Sequence, residues 1–254
     1  MVLHMCNQLL TIQSFQSLIQ MVMLFLGPRL VKKVSKVLEN LLLMLHKLPR
    51  KMRAGLVADC RPQVSDIEDF LNTDPSPRGI FLNSPHNPTG GVTTEQDLRD
   101  IADLVRGRNV AVFSDEPYCH MIWKGKHHSL LAQPGMMEQC VAAYTFSKSY
   151  SMSGWRLGFC ASSREIVDAI GKMINTTLSC TPPIVQLAGR AALDKDSRER
   201  DETMLKFREK VVLLTNGLNR IEGFSALDPT ATFYVFSSVK PVCNQLGITS
   251  HGLA

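Results

Sequence analysis

Gly79-Ile80-Phe81-Leu82-Asn83-Ser84-Pro85-His86-Asn87-Pro88-Thr89-Gly90-Gly91 begins as a short apolar run and breaks into a turn rich in Pro and Gly. The run, Gly79 to Leu82, reads as a buried strand. A helix is expected next. Thr93 followed three residues later by Gln96 is a capping-box pattern, and Leu98, Ile101, Ala102 and Val105 recur at the spacing of one helical face. Gly107 is placed to stop that helix. Val110-Ala111-Val112-Phe113 is then a second apolar strand, ending in Ser114-Asp115-Glu116-Pro117-Tyr118. Strand, helix and strand of these lengths form a βαβ unit and favour a parallel sheet.

A third apolar run, Val141-Ala142-Ala143, leads into Tyr144-Thr145-Phe146-Ser147-Lys148, and Arg156 follows in Ser153-Gly154-Trp155-Arg156-Leu157-Gly158. In open α/β sheets ligands bind beyond the carboxyl ends of the strands. Asn87, Asp115 and Lys148 each lie just past such an end, so three separate segments deliver an amide, a carboxylate and an amine to one edge. Each has an ordinary explanation by itself: a turn, a solvated acid pair, a loop lysine. The combination fits pyridoxal phosphate. A partly desolvated lysine is the nucleophile for an aldehyde. A carboxylate such as Asp115 keeps a ring nitrogen protonated. Asn87 and Tyr118 can donate to a ring hydroxyl. The hydroxyls of Thr145 and Ser147, with the planar fork of Arg156, suit a phosphate.

These segments resemble the class I/II pyridoxal-phosphate aminotransferases of fold type I, the aspartate aminotransferase-like group. The similarity rests on Asn87-Pro88-Thr89-Gly90, on Ser114-Asp115-Glu116-Pro117-Tyr118 and on Phe146-Ser147-Lys148 with Gly154, Arg156 and Gly158, and runs from about Val64 to Val239. Ser179-Cys180-Thr181 and Phe233-Tyr234-Val235-Phe236 also look familiar. The resemblance implies an α/β fold: a large domain with a mostly parallel sheet flanked by helices, and an incomplete α+β small domain. It implies that Lys148 forms the Schiff base, that Asp115 pairs with the ring nitrogen, that Asn87 and Tyr118 meet the ring hydroxyl, and that Thr145, Ser147 and Arg156 bind phosphate. Transamination between an amino acid and a 2-oxo acid is the expected reaction, and a homodimer the expected assembly. Lyases and decarboxylases share these motifs, because carbanion stabilisation is common to all of them.

Three segments follow from this reading: a divergent, basic, leucine-rich stretch over residues 1–63, a cofactor-binding domain over 64–195, and a long helix with a partial small domain over 196–254. Residues 1–56 hold eight Lys/Arg and one acid, whereas the remainder is slightly acidic. Met21–Leu26 is too short an apolar run to span a membrane. Val31, Val34, Val37, Leu38, Leu41, Leu42 and Leu45 have helical spacing and suit a core-packing helix, with organelle targeting as the alternative to a cytoplasmic setting. Nucleic-acid binding is disfavoured, since only Phe15 and Phe25 are available to interleave with the basic residues. The seven cysteines show no CxxC spacing and the chain carries no GxGxxG fingerprint, so neither a zinc framework nor a dinucleotide site is expected.

Two family features have no match in residues 1–60: a phosphate-binding turn and a ring-stacking aromatic. The substrate-carboxylate arginine expected in the small domain also has no match before Ala254. A catalytically impaired fragment that keeps the site motifs is therefore the other reading. Asp196–Glu222 reads as one helix with Met204, Phe207, Val211, Leu214 and Leu218 inward, Ser225–Val239 as a strand, His127-His128 as a solvated turn, and Trp155 as a ring that shapes the phosphate pocket.

Overall fold

The computed structural model describes residues 61–250 apart from Asp196. The expectations for the basic N-terminal segment therefore lie outside the described residues. Helix α1 (Val64–Thr73) leads into strand β1 (Gly79–Asn83), helix α2 (Glu95–Val105) and strand β2 (Ala111–Asp115). Strands β3 (Cys140–Thr145) and β4 (Gly158–Ala161) complete one sheet in the order β1-β2-β3-β4. The first three are parallel and β4 runs antiparallel to β3. The βαβ unit and the mostly parallel sheet follow the sequence reading.

Both β1 and β2 alternate between buried and half-buried positions. Ile80, Leu82 and Val112 face the core, and the ring of Phe81 stacks on that of Phe113 on the other side, with centroids 6.1 Å apart. The apolar stripe of α2 lands as its spacing requires: Leu98, Ile101, Ala102 and Val105 are all buried. Around them Ile67 and Leu71 of α1, with Leu130 and Met136 of the β2–β3 connection, close one core. Replacing Ile101 by alanine opens a cavity at its centre and should cost about 2–5 kcal/mol in urea unfolding.

The start of α2 differs from expectation by one residue. Thr94 is the N-cap: its Oγ accepts from the Asp97 amide at 3.1 Å, and Asp97 Oδ2 accepts from the Thr94 amide at 3.0 Å. Thr93 is drawn into the preceding turn instead, buried, with its amide donating to Ser84 Oγ at 2.9 Å. Gly107 does take positive φ, +75°, just past the helix.

After β4 come α3 (Arg164–Thr177), α4 (Pro183–Lys195) and α5 (Ser197–Leu218). Gly189 of α4 lies over Phe146 and Leu157, where an added Cβ would sit 2.4 Å from Leu157 Cδ2. In α5, Met204 and Val211 are buried and Phe207 and Leu218 half-buried, as expected, but Leu214 is 50% exposed. Thr215 takes the inward position, its hydroxyl satisfied by the Val211 carbonyl at 2.9 Å. The helix stops at Leu218, and the Asn219 side chain then both donates to and accepts from the backbone of Ala226.

Ser225–Val239 is not one strand. Only β5 (Ser225–Ala226) and β6 (Ser237–Ser238) pair, antiparallel, before α6 (Lys240–Leu246). Between them the chain is diverted onto the large sheet's edge. The Ala231 amide donates to Gly90 O at 3.0 Å and the Thr232 amide to Met121 O at 2.8 Å, while Trp123 Nε1 donates to Thr232 O at 2.6 Å. Thr232, at φ +68°, breaks the extended run. Gly90 matters here: with φ +73°, it has Ala231 O only 2.6 Å from where a Cβ would be.

Candidate active site

Parallel pairing sets Asn83 of β1 directly beside Asp115 of β2, and Asp115 beside Ala143 of β3. β1 and β2 therefore end level, β3 continues past them to Thr145, and the segments that follow the three share one rim. Together they enclose a cavity of about 330 Å³, within the range of small-molecule sites. All seven residues expected from the sequence line it: Asn87, Asp115, Tyr118, Thr145, Ser147, Lys148 and Arg156.

Asn83 and Tyr234 also line the cavity, and the sequence alone assigns neither a role there. Asn83 Nδ2 donates to Asp115 O at 3.0 Å and to Asp115 Oδ2 at 3.2 Å. Its Oδ1 accepts the Asn87 amide at 2.9 Å. One amide thus orients both the carboxylate and the turn that carries Asn87. The signal was there: a polar residue at the last position of a buried strand, on the edge where ligands bind. The His86 ring braces the same turn from inside, with Nδ1 2.7 Å from Thr89 Oγ, and burial holds its pKa below the ordinary value.

The Lys148 turn leaves β3 through Phe146, which is fully buried and whose amide donates to Leu157 O at 3.1 Å. Thr145 Oγ accepts the Ser147 amide at 3.1 Å, and the Lys148 carbonyl accepts the Ser151 amide at 3.0 Å. Lys148 Nζ then stands 5.5 Å from the centroid of the Tyr118 ring and 5.3 Å from that of Phe233. Both rings favour its cation. Tyr118 and Tyr234 bring their hydroxyls within 3.0 Å of each other. Burial, and then the Tyr234 hydrogen bond, raise the Tyr118 pKa, so its hydroxyl stays protonated. Arg156 adopts the left-handed conformation at φ +54° and binds the Ser153 carbonyl, which sets its guanidinium on the cavity wall. Trp155 does not shape that wall; it is 48% exposed, because the short helical turn Ser153–Trp155 points it outward.

Asp115 is the electrostatic centre. Burial raises its pKa to about 6; the neighbouring Glu116 adds to the rise and Lys148 opposes it. Glu116 is not a solvated acid: it is 1% exposed and accepts from Ser114 Oγ and Ser129 Oγ, each at 2.7 Å. His127 is its third partner, Nε2 to Oε2 at 2.8 Å, with the ring only 15% exposed. The expected solvated turn at His127 is therefore a buried contact, imposed by the acid it packs against. Among the described residues no group of His, Cys, Asp and Glu could hold a metal ion.

These residues suit pyridoxal phosphate on their own terms. The buried carboxylate of Asp115 lacks full compensation, and a pyridinium N–H is the kind of partner that would supply it. Ala143 beside it adds little bulk, and the amine, hydroxyls and guanidinium line the same cavity.

The sequence model of the family described as Aminotransferase class I and II matches residues 50–250. The chain belongs to that family. An aspartate aminotransferase of Pyrococcus abyssi is 35% identical over 193 residues, covering 75% of this chain and 48% of the relative. An aromatic-amino-acid aminotransferase of Thermococcus litoralis is 32% identical over 183 residues, covering 71% and 46%. In three dimensions the chain is similar to an aromatic aminotransferase from Pyrococcus horikoshii, with a TM-score of 0.68, 31% identity, and coverage of 76% of this chain and 51% of that one. This aminotransferase-family chain therefore has a fold type I architecture and spans about half the length of the relatives it matches. Their names point to different amino acids, so the likeness does not select a substrate.

Proposed function

We propose that this chain carries the cofactor site of a pyridoxal-phosphate-dependent transamination between an amino acid and a 2-oxo acid, with Lys148 as the reactive amine. The observation that carries the reading is the meeting of Lys148, Asp115 and Asn87 on one cavity wall system. When bound, pyridoxal phosphate supplies an aldehyde for an amine and a ring that accepts the electron pair left by a broken Cα–H bond.

The chain's own residues do the rest. Arg156, Ser147 and Thr145 would hold the phosphate with charge-assisted hydrogen bonds. Asp115 would hold a proton at the ring nitrogen. Tyr118, whose hydroxyl lies 3.0 Å from that of Tyr234, would meet the ring hydroxyl together with the Asn87 amide. Lys148 Nζ would take the substrate Cα proton as general base and return one as general acid. The rings of Tyr118 and Phe233 stand 5.5 and 5.3 Å from that amine and would shield one side of it from water. In this reading residues 64–195 form the cofactor-binding unit and the segment from 196 onward begins a second one. A homodimer and a reducing, cytosolic setting belong to the same proposal. The second is supported by the free thiols of Cys119, Cys140, Cys160, Cys180 and Cys243. No helix among the described residues is long and apolar enough to cross a membrane.

The test is chemical. Borohydride reduction of the protein incubated with pyridoxal phosphate should leave a cofactor-labelled peptide containing Lys148. A label confined to other lysines would refute the assignment.

A further inference from the structure

Glu116 has no place in the mechanism above, yet it is among the most deeply buried side chains in the described residues, one position from Asp115. Burying a carboxylate costs several kcal/mol unless its lone pairs are met. Here Ser114, Ser129 and His127 meet them. Ser114 and Ser129 hydroxyls donate to Oε1. Ser129 Oγ itself accepts from the Leu131 amide at 3.2 Å and from Tyr144 at 3.4 Å, so its own proton is directed to the acid. His127 donates through Nε2, and its Nδ1 is buried with no partner among the described residues. Three side chains thus fix the carboxylate in place.

We infer that Glu116 is a positioning residue for the cofactor: its buried carboxylate, held by Ser114, His127 and Ser129 next to Asp115 in the chain, strengthens the grip of Asp115 on the proton of the ring nitrogen. The inference rests on the pyridoxal-phosphate reading. Lys148, Tyr118 and Glu116 are the ionisable groups facing Asp115; His127, Tyr144, Cys119 and Cys140 face Glu116. Burial, with Glu116 second, pushes Cys119 and Cys140 up to about 12 and raises Tyr144 too, so these three remain neutral. No competing anion forms near neutrality, and the field at Asp115 comes from Glu116 against Lys148. A pyridinium proton placed between a strengthened base and the ring stays on the ring–carboxylate pair, which is what carbanion stabilisation requires.

The experiment follows the Asp115 carboxyl carbon by NMR in cofactor-free protein labelled at aspartate, with Asp115→Asn for assignment. The wild-type midpoint should lie at about 6. In Glu116→Gln, which keeps shape and loses charge, it should fall by about one pH unit or more. In Glu116→Asp, which keeps the charge, it should stay near the wild-type value. An unmoved midpoint in Glu116→Gln overturns the inference, because a merely structural role would change stability and leave this titration alone. If Glu116→Gln does not fold, His127→Gln decides: its amide can still donate to the acid and Glu116 is retained, so the Asp115 midpoint should stay near the wild-type value, and a fall overturns the inference. Affinity for pyridoxal phosphate at pH 7 should weaken up to about tenfold in Glu116→Gln; unchanged affinity with a shifted midpoint also overturns it. A shifted midpoint without a borohydride label at Lys148 would instead remove the cofactor reading.

Discussion

Lys148→Ala should cut transamination by at least about 10²–10⁴-fold, the range associated with one positioned acid–base group, and abolish borohydride labelling at that position. The residue has two separable roles. Its charge sits between the rings of Tyr118 and Phe233, an arrangement worth about 0.5–2 kcal/mol to the folded state. Its amine is the only candidate in the cavity lining for a covalent bond to an aldehyde. Lys148→Arg separates the roles, since a guanidinium keeps the cation and cannot give up its proton. The arginine variant should unfold near the wild-type urea midpoint, and both variants should be inactive. Turnover within tenfold of wild type in Lys148→Ala would show that the amine is not the reactive group.

Asp115→Asn should push stability and activity in opposite directions. The folded pKa of about 6 lies above the model-compound value of 3.8. The folded state therefore binds this proton more tightly than the unfolded chain does. Its contribution is favourable only while the group is protonated in the fold, and stability falls as pH rises from about 4 to about 6. Above that window the ionised carboxylate costs about 3 kcal/mol. Asparagine removes the charge and can still accept from Asn83 Nδ2 through its own carbonyl. The cofactor-free variant should gain about 1–3 kcal/mol at pH 7 and little at pH 4, read from urea midpoints at the two pH values. Turnover should fall at least about 10²-fold, because nothing then stabilises charge at the ring nitrogen. Equal destabilisation at both pH values would mean that Asp115 serves packing instead.

What the sequence made legible was the local chemistry of strand ends. Asn87, Asp115 and Lys148 could be aligned because three apolar runs stop in polar turns, and parallel pairing brings those stops to one edge without any long-range knowledge. Asn83 was missed because it was assigned to the turn, whereas β1 extends one residue further and pairs it with Asp115. Glu116 and His127 were misread because neither acid–histidine partnership nor burial leaves a trace in spacing; they stand 11 positions apart across irregular chain. The expected strand at Ser225–Val239 failed for a tertiary reason. Its residues do have β character, but their amides find better partners on Met121 and Gly90 than on a neighbouring strand. The capping box slipped by one residue because Ser84 claims Thr93.

The backbone tie between Ala231 and Gly90 also fixes when during folding the chamber can exist. Tyr234 of its far wall, with Phe233 beside it, reaches Lys148 and Tyr118 only after loops of roughly 85 and 115 residues close, at an entropic cost of about 4 kcal/mol by chain statistics. The sheet needs no such closure, since its strands pair with near neighbours in the chain. Competence to bind is thus a late, non-local achievement, and a ligand touching both walls would act as a clasp on that closure.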